Sequence, residues 1–326
     1  MSKKLSFLLL LTFLLCIAHL YAGSQKIALT EIWNAFFNYQ AEDINHYIVR
    51  EIRFPRMVTA CIAGAGLSLS GLLMQNIFSN PLADPNILGV NAGASLSVAL
   101  GVLSGATIFQ SEFGIIGTAM IGAFVFALLI IAISRFIKNN LSLLLIGIIV
   151  GSVTASIITI LQSYADAQRL RQFTLWTMGS LQNVQLHQLP LFVGGFAIIS
   201  ISSYFLIRNL NAYVLGEKQA FYLGVDTKAT RNFAIAIAAL LAGLITAYCG
   251  PIAFIGMAIP NLTRLILKTQ NHRILITANL LVGAAFLLLA DCIILQTATV
   301  FGIPLNALTA ILCAPFIIYV IFKKVI

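Results

Sequence analysis

Residue types that carry covalent or metal chemistry are sparse in this chain, and they are scattered. Cys16, Cys61, Cys249, Cys292 and Cys313 each lie in or beside an apolar run, and no CxxC pair or Cys/His cluster brings ligands to metal spacing. His19, His46, His187 and His272 stand equally apart. No nucleophile–base pair is visible, and no GxxxxGK[ST] loop exists to cradle a nucleotide. No catalytic, metal or cofactor site is therefore expected. What remains are charges in costly places. Asp84 sits between Pro81 and Pro85, and Asp291 interrupts a long apolar run. An acid within hydrocarbon is expensive, which makes both candidates for a functional position. The structural alternatives are a helix cap for Asp84 and a polar partner for Asp291. Arg53 and Arg56 flank Pro55 at the mouth of another run, a place where arginines also anchor to lipid headgroups.

The elements that must position these residues follow from composition. The chain has 326 residues, of which 60% are hydrophobic and 9% charged. Its mean hydropathy is +0.98. A soluble domain is about 45–50% apolar and about 25% charged. So few charges cannot cover a water-facing surface, so lipid must be the solvent.

Apolar runs of helical length recur along the chain. The first, near Leu5–Tyr21, follows Lys3 and Lys4 and reads as an uncleaved first span, although its outline also fits a signal peptide. Others fall near Met57–Phe78, Ile87–Ile108, Phe113–Ile137, Leu141–Ser163, Leu189–Ile207, Phe233–Cys249, Ile252–Leu267, Ile274–Leu289 and Leu305–Phe322. Lone strands cannot satisfy their backbone in lipid, so the expected fold is all-α, a polytopic bundle of about ten membrane helices in one domain over 1–326. Small residues such as Ala63-Gly64-Ala65-Gly66 suit close helix packing. With the N-terminus inside and alternating spans, the inner side holds Lys3, Lys4, Arg135, Lys138, Arg208, Lys218, Lys228, Arg231, Lys268, Arg273, Lys323 and Lys324. The outer side holds Lys26, Arg50, Arg53, Arg56, Arg169 and Arg171, a bias of 12 to 6 with Arg264 uncounted. Both termini are expected inside. The net charge of +9 then needs no nucleic acid to explain it.

Helix breakers interrupt two spans. One break is Asn80-Pro81-Leu82-Ala83-Asp84-Pro85, the other Gly250-Pro251-Ile252-Ala253-Phe254-Ile255-Gly256 with Pro260 beyond. They fall in different halves, as an internal repeat would place them, and broken spans often mark transport routes. The Leu215–Val225 segment, within the polar stretch 209–231, has Leu215, Ala220, Leu223 and Val225 separated by Glu217, Lys218 and Gln219. By itself it reads as an amphipathic helix on the membrane surface.

Around these breaks the chain resembles the iron-chelate and vitamin B12 permease family of ATP-binding cassette (ABC) importers. The resemblance begins at Arg53-Phe54-Pro55-Arg56 and continues through Ser70-Gly71-Leu72-Leu73-Met74-Gln75 and Asn80–Gly89. It then runs through Trp176–Leu181, Leu215-Gly216-Glu217 with Ala220 and Leu223-Gly224, Gly250–Pro260, and Ala290-Asp291. It implies about ten helices per subunit, a second permease subunit forming a homodimer, two ATPase subunits on the cytoplasmic side and a substrate-binding protein outside. It implies that Arg53 and Arg56 dock that binding protein. Leu215, Gly216, Glu217, Ala220, Leu223 and Gly224 would couple the ATPase to the membrane. Gln75, Asn80, Pro81, Asp84 and Asp291 become pathway candidates, with Asn140 and Ser142 at the place of the cytoplasmic gate. The chain departs from the family pattern at Pro260-Asn261, at Leu295 and at Gly302-Ile303-Pro304-Leu305-Asn306. The expected function is an inner-membrane importer permease for an iron chelate, a ferric siderophore first. Haem and cobalamin are alternatives, with a small oxyanion such as molybdate behind them. An ion-coupled secondary transporter is the alternative of a different class. It would leave Leu215–Val225 without an obvious task.

Overall fold

A computed structural model describes residues 2–23, 25–40, 42–105, 112–134, 136–137, 140–297 and 302–325. Every regular element among them is helical. Eight helical stretches are long and apolar enough to span a bilayer: Lys3–Tyr21, Ile44–Ile77, Gly114–Ser134, Leu145–Tyr164, Leu186–Tyr213, Thr227–Cys249, His272–Thr297 and Leu305–Phe322. Two shorter apolar helices, Val90–Ser104 and Ile255–Leu267, complete the ten that the sequence predicts. The short ones are those that follow the two breaks, because the breaks consume residues a full-length helix would have used. Ile108 of the expected third run, and Arg135 and Lys138 of the charge count, lie outside the described residues.

The spanning helices are α1 (Ser2–Tyr21), α4 (Phe54–Ile77), α5 (Val90–Ser104), α6 (Glu112–Ser134), α7 (Asn140–Tyr164), α9 (Leu189–Ser202) continued by α10 (Ile207–Tyr213), α12 (Thr227–Cys249), α13 (Ile255–Leu267), α14 (His272–Thr297) and α15 (Leu305–Val325). Between them lie α2 (Leu29–Phe37), α3 (Ile44–Tyr47), α8 (Ala167–Thr177) and the short α11 (Glu217–Tyr222). α2 and α3 thus lie between α1 and α4, and α8 between α7 and α9. α3 runs through a π-helical turn, Ile48–Arg53, directly into α4.

α4 is the central helix and is buried along nearly its whole length against α12, α13 and α14. Its small residues make this possible. A Cβ at Gly64 would strike the carbonyl of Gly283 in α14, and one at Gly71 would strike that of Gly256 in α13. Backbones that approach this closely gain dispersion contacts, which drive helix association where lipid removes the hydrophobic term. Two buried hydroxyls of α4 find partners across these faces: Ser68 Oγ donates to Asn279 Oδ1 at 2.8 Å, and Ser70 Oγ to the Ala238 carbonyl at 2.7 Å. α7 stands apart from this core, resting on α5 and on the turn after the first break, with most of its length exposed.

Candidate functional site

The two breaks, 170 or so residues apart in the chain, meet in space. α4 ends at Ile77 and the chain turns at Ser79, whose φ is 48°. Asn80 Oδ1 accepts from the Leu82 amide at 3.0 Å, and Asp84 Oδ1 caps the 3-10 turn Pro85–Leu88 through the Asn86 amide at 2.8 Å. The rest of the Asp84 carboxyl faces Gly256 and Met257 in the first turn of α13. That amide end of a helix favours negative charge. Gln75 Nε2 donates to the Met257 carbonyl at 3.0 Å, while its Oε1 accepts from Arg264. Asn261 Nδ2 reaches back to the Pro81 carbonyl at 2.8 Å. Gln75, Asn80, Pro81 and Asp84 thus form one seam. Gln75 and Asp84 are buried within the single chain, so the seam locks the breaks together and does not offer an open lining. Asn261, where the chain departs from the family pattern, is part of that lock.

Asp291 lies at the opposite end of the bundle. Arg56 holds both its oxygens, Nε to Oδ2 and Nη2 to Oδ1, each at 2.6 Å. His19 Nε2 lies 2.7 Å from Oδ2. All three side chains are buried, so the cluster pins α1, α4 and α14 together. Arg53 is buried as well. Its guanidinium donates to the Leu20, Tyr21 and Gln25 carbonyls and so caps the C-terminal end of α1. Within the single chain both guanidiniums are engaged by partners of the fold itself. Asp291, the expected pathway acid, is partnered by Arg56 and His19.

The segment between α10 and α12 is the most unusual surface on the molecule. The helix expected over Leu215–Val225 is shorter, Glu217–Tyr222, because Gly216 (φ 102°) and Gly224 (φ 83°) stop it at both ends. At its C-terminal end the Val225 amide bonds to the Ala220 carbonyl at 3.1 Å and the Gly224 amide to the Phe221 carbonyl at 2.9 Å. This is a Schellman arrangement, with glycine at the left-handed position. The repeated Leu-Gly of the sequence marks both ends. Ala220 is fully buried and packs inward. Leu215, Phe221, Tyr222 and Leu223 point away, with exposures of 61%, 65%, 85% and 62%. The base of the segment is stapled. Tyr213 Oη donates to the Thr227 carbonyl at 2.7 Å, and Asn209 Nδ2 to Thr230 Oγ1 at 2.9 Å.

This architecture has known counterparts. Residues 9–323 match the model of the FecCD transport family. The chain belongs to the FecCD transport family. Over 98% of its length and 95% of the relative's, it is 32% identical to the hemin transport system permease protein of Yersinia pestis. It is 30% identical to the vitamin B12 import system permease protein of Vibrio cholerae, covering 99% of this chain and 95% of that protein. A solved inward-facing structure described as a metal-chelate type ABC transporter superposes with a TM-score of 0.87, at 30% identity over 99% of this chain and 100% of that one. As a FecCD-family member the chain is a polytopic membrane permease.

Two features of this FecCD permease escape a reading of its sequence. Phe221 and Tyr222 are the largest exposed side chains on α11, hidden in sequence because they are flanked by the Leu-Gly pairs that draw attention. The second is on α7, where Ser152, Ser156, Thr159 and Ser163 are all exposed. Their spacing of 4, 3 and 4 puts them on one helix face. Each hydroxyl bonds a carbonyl of the preceding turn, for example Ser156 Oγ to the Ser152 carbonyl at 3.0 Å. Asn140 opens α7, with its side chain outside the described residues, and Ser142 is half-buried in the first turn.

Proposed function

We propose that this permease is the membrane-spanning subunit of an ATP-driven importer for an iron chelate, working with ATPase subunits that dock on the α11 segment. The observation that carries the reading is the cluster Leu215, Phe221, Tyr222 and Leu223. Four large side chains stand exposed on and around a short helix whose base is stapled. In a membrane transporter that works alone they would serve only to rest the segment on the membrane surface. Lys218, Lys228, Lys268 and Arg273 lie at this same end, which the Lys/Arg bias makes cytoplasmic. The exposed hydroxyl face of α7 supports a second copy of the chain, the two enclosing a water-lined route between them.

Ferric siderophore is the substrate class expected from sequence. The full-length likeness to a hemin permease favours haem as a second reading, and the two share a bulky metal chelate as cargo. Purification of the full chain from its native membrane is expected to bring a P-loop ATPase with it. Reconstituted vesicles are then expected to take up haemin or a ferric hydroxamate chelate only with ATP. Gradient-driven uptake without any ATPase overturns the reading.

A further inference from the structure

Three spanning elements converge on one imidazole just beneath the α11 segment. Asn211, in α10, accepts two hydrogen bonds on its Oδ1: from the His272 amide at 2.8 Å and from His272 Nδ1 at 3.1 Å. On the other side of the ring, His272 Nε2 lies 2.7 Å from Asn76 Nδ2 of α4. Asn76 Nδ2 also donates to the Leu210 carbonyl of α10 at 3.3 Å. Because a carbonyl can only accept, this last bond fixes the orientation of the Asn76 amide. His272 Nε2 must then accept, and Nδ1 carries the proton that Asn211 receives. Both ring nitrogens of His272 are thus matched, and the residue is buried at 1% exposure. Asn211 also caps the first turn of α14 from a different helix.

We propose that this node is a mechanical relay, with His272 as its positioning residue: movement of the α11 segment reaches α14 and α4 through Asn211, His272 and Asn76. The proposal rests on the coupling role given to α11 above. α10 and α12 follow the segment through the covalent chain, whereas α14 and α4 need contacts of this kind. α14 carries the displacement far. Its first residue is His272, and Asp291 lies nineteen residues on, roughly 28 Å along an α-helix. There Arg56 of α4 and His19 of α1 grip it. Between the two ends, α4 and α14 pack backbone to backbone at Gly64 and Gly283. The pair is therefore held at both ends and in the middle, and it moves as one body.

The test uses the full chain in detergent with the P-loop ATPase that co-purifies with it, and reads amide hydrogen exchange at residues 272–276. Docking the ATPase is expected to slow exchange there roughly tenfold in the parent. In Asn211→Ala the ATPase is expected to bind as before while this response disappears. Asn211→Asp retains both acceptor sites and is expected to restore it. A purely structural role raises exchange equally in the free and docked states and preserves their difference, and that outcome overturns the relay. So does a parent that binds the ATPase without any response at 272–276. If Asn211→Ala does not assemble, His272→Ala, which keeps the backbone donor to Asn211, takes its place with the same expected loss of response. Failure of the parent to bind any ATPase instead sinks the coupling role itself.

Discussion

A carboxyl within an apolar run is costly wherever it stands, and Asp84 and Asp291 meet that cost differently. Asp84 is bonded by its own turn and faces the amide end of a helix; Asp291 is held by a cation on another helix. The sequence shows that each acid needs a partner. It does not show which, because Arg56 and Asp291 are 235 positions apart and only the fold joins them. The motif also drew Arg53 and Arg56 into one role, although one caps α1 and the other neutralises Asp291. Removing one member of a buried ion pair strands the other and costs about 3–5 kcal/mol, whereas replacing both with apolar residues is close to neutral. Asp291→Asn is therefore expected to lower the thermal midpoint of the detergent-solubilised chain sharply. Arg56→Leu combined with Asp291→Leu should recover most of that loss, with His19 the remaining polar group. If the single and double variants melt together, the pair is not what pins α4 to α14.

At the scale of elements, the two breaks were legible because proline and glycine act locally. Pro81 and Pro85 in one break, and Gly250 with Pro251 in the other, each disfavour a continuous helix locally, and their clustering makes the breaks readable. Their meeting in a single seam was not legible, since Gln75–Met257 and Asn261–Pro81 are contacts between distant parts of the chain. The α11 helix shows the same division. Its ends follow from Gly216 and Gly224, but which residues face outward depends on how Tyr213 and Asn209 staple its base. The exposed apolar cluster should dominate docking. An exposed ion pair contributes about 0–1 kcal/mol, so Glu217→Ala should be mild. Truncating an apolar anchor at the centre of an interface costs roughly 2–4 kcal/mol, so Leu223→Ala and Phe221→Ala should each weaken ATPase pull-down by at least tenfold. Membrane insertion should be unchanged, because none of the three lies in a span. Equal binding by all variants would return α11 to the membrane surface as a resting amphipathic helix.

At the scale of the whole molecule, composition already demanded a lipid solvent, and the ten apolar helices answer it. The topology argued from Lys and Arg places both termini on the α11 side, so a C-terminal reporter fusion should behave as cytoplasmic. A periplasmic signal would break the alternation of spans. What the sequence could not show is which exposed helix face meets lipid and which meets water, since apolar runs look alike until they are packed. α7 separates the two. Ser152, Ser156, Thr159 and Ser163 share one face, while Ile157, itself 39% exposed, points more than a quarter-turn away. Hydroxyls bonded to their own helix are tolerated in lipid but gain nothing there, whereas a water-lined route between two subunits hydrates them. Cysteine introduced at Ser156 or Thr159 is therefore expected to react with a membrane-impermeant maleimide beyond the labelling of the parent, and cysteine at Ile157 is not. Bulky cargo in the route should protect the first two positions, so saturating haemin or a ferric hydroxamate chelate in the assembled complex should slow their labelling. Equal reactivity at all three positions, or none at any, would mean that the hydroxyl face of α7 lies against lipid or protein and that the route runs elsewhere.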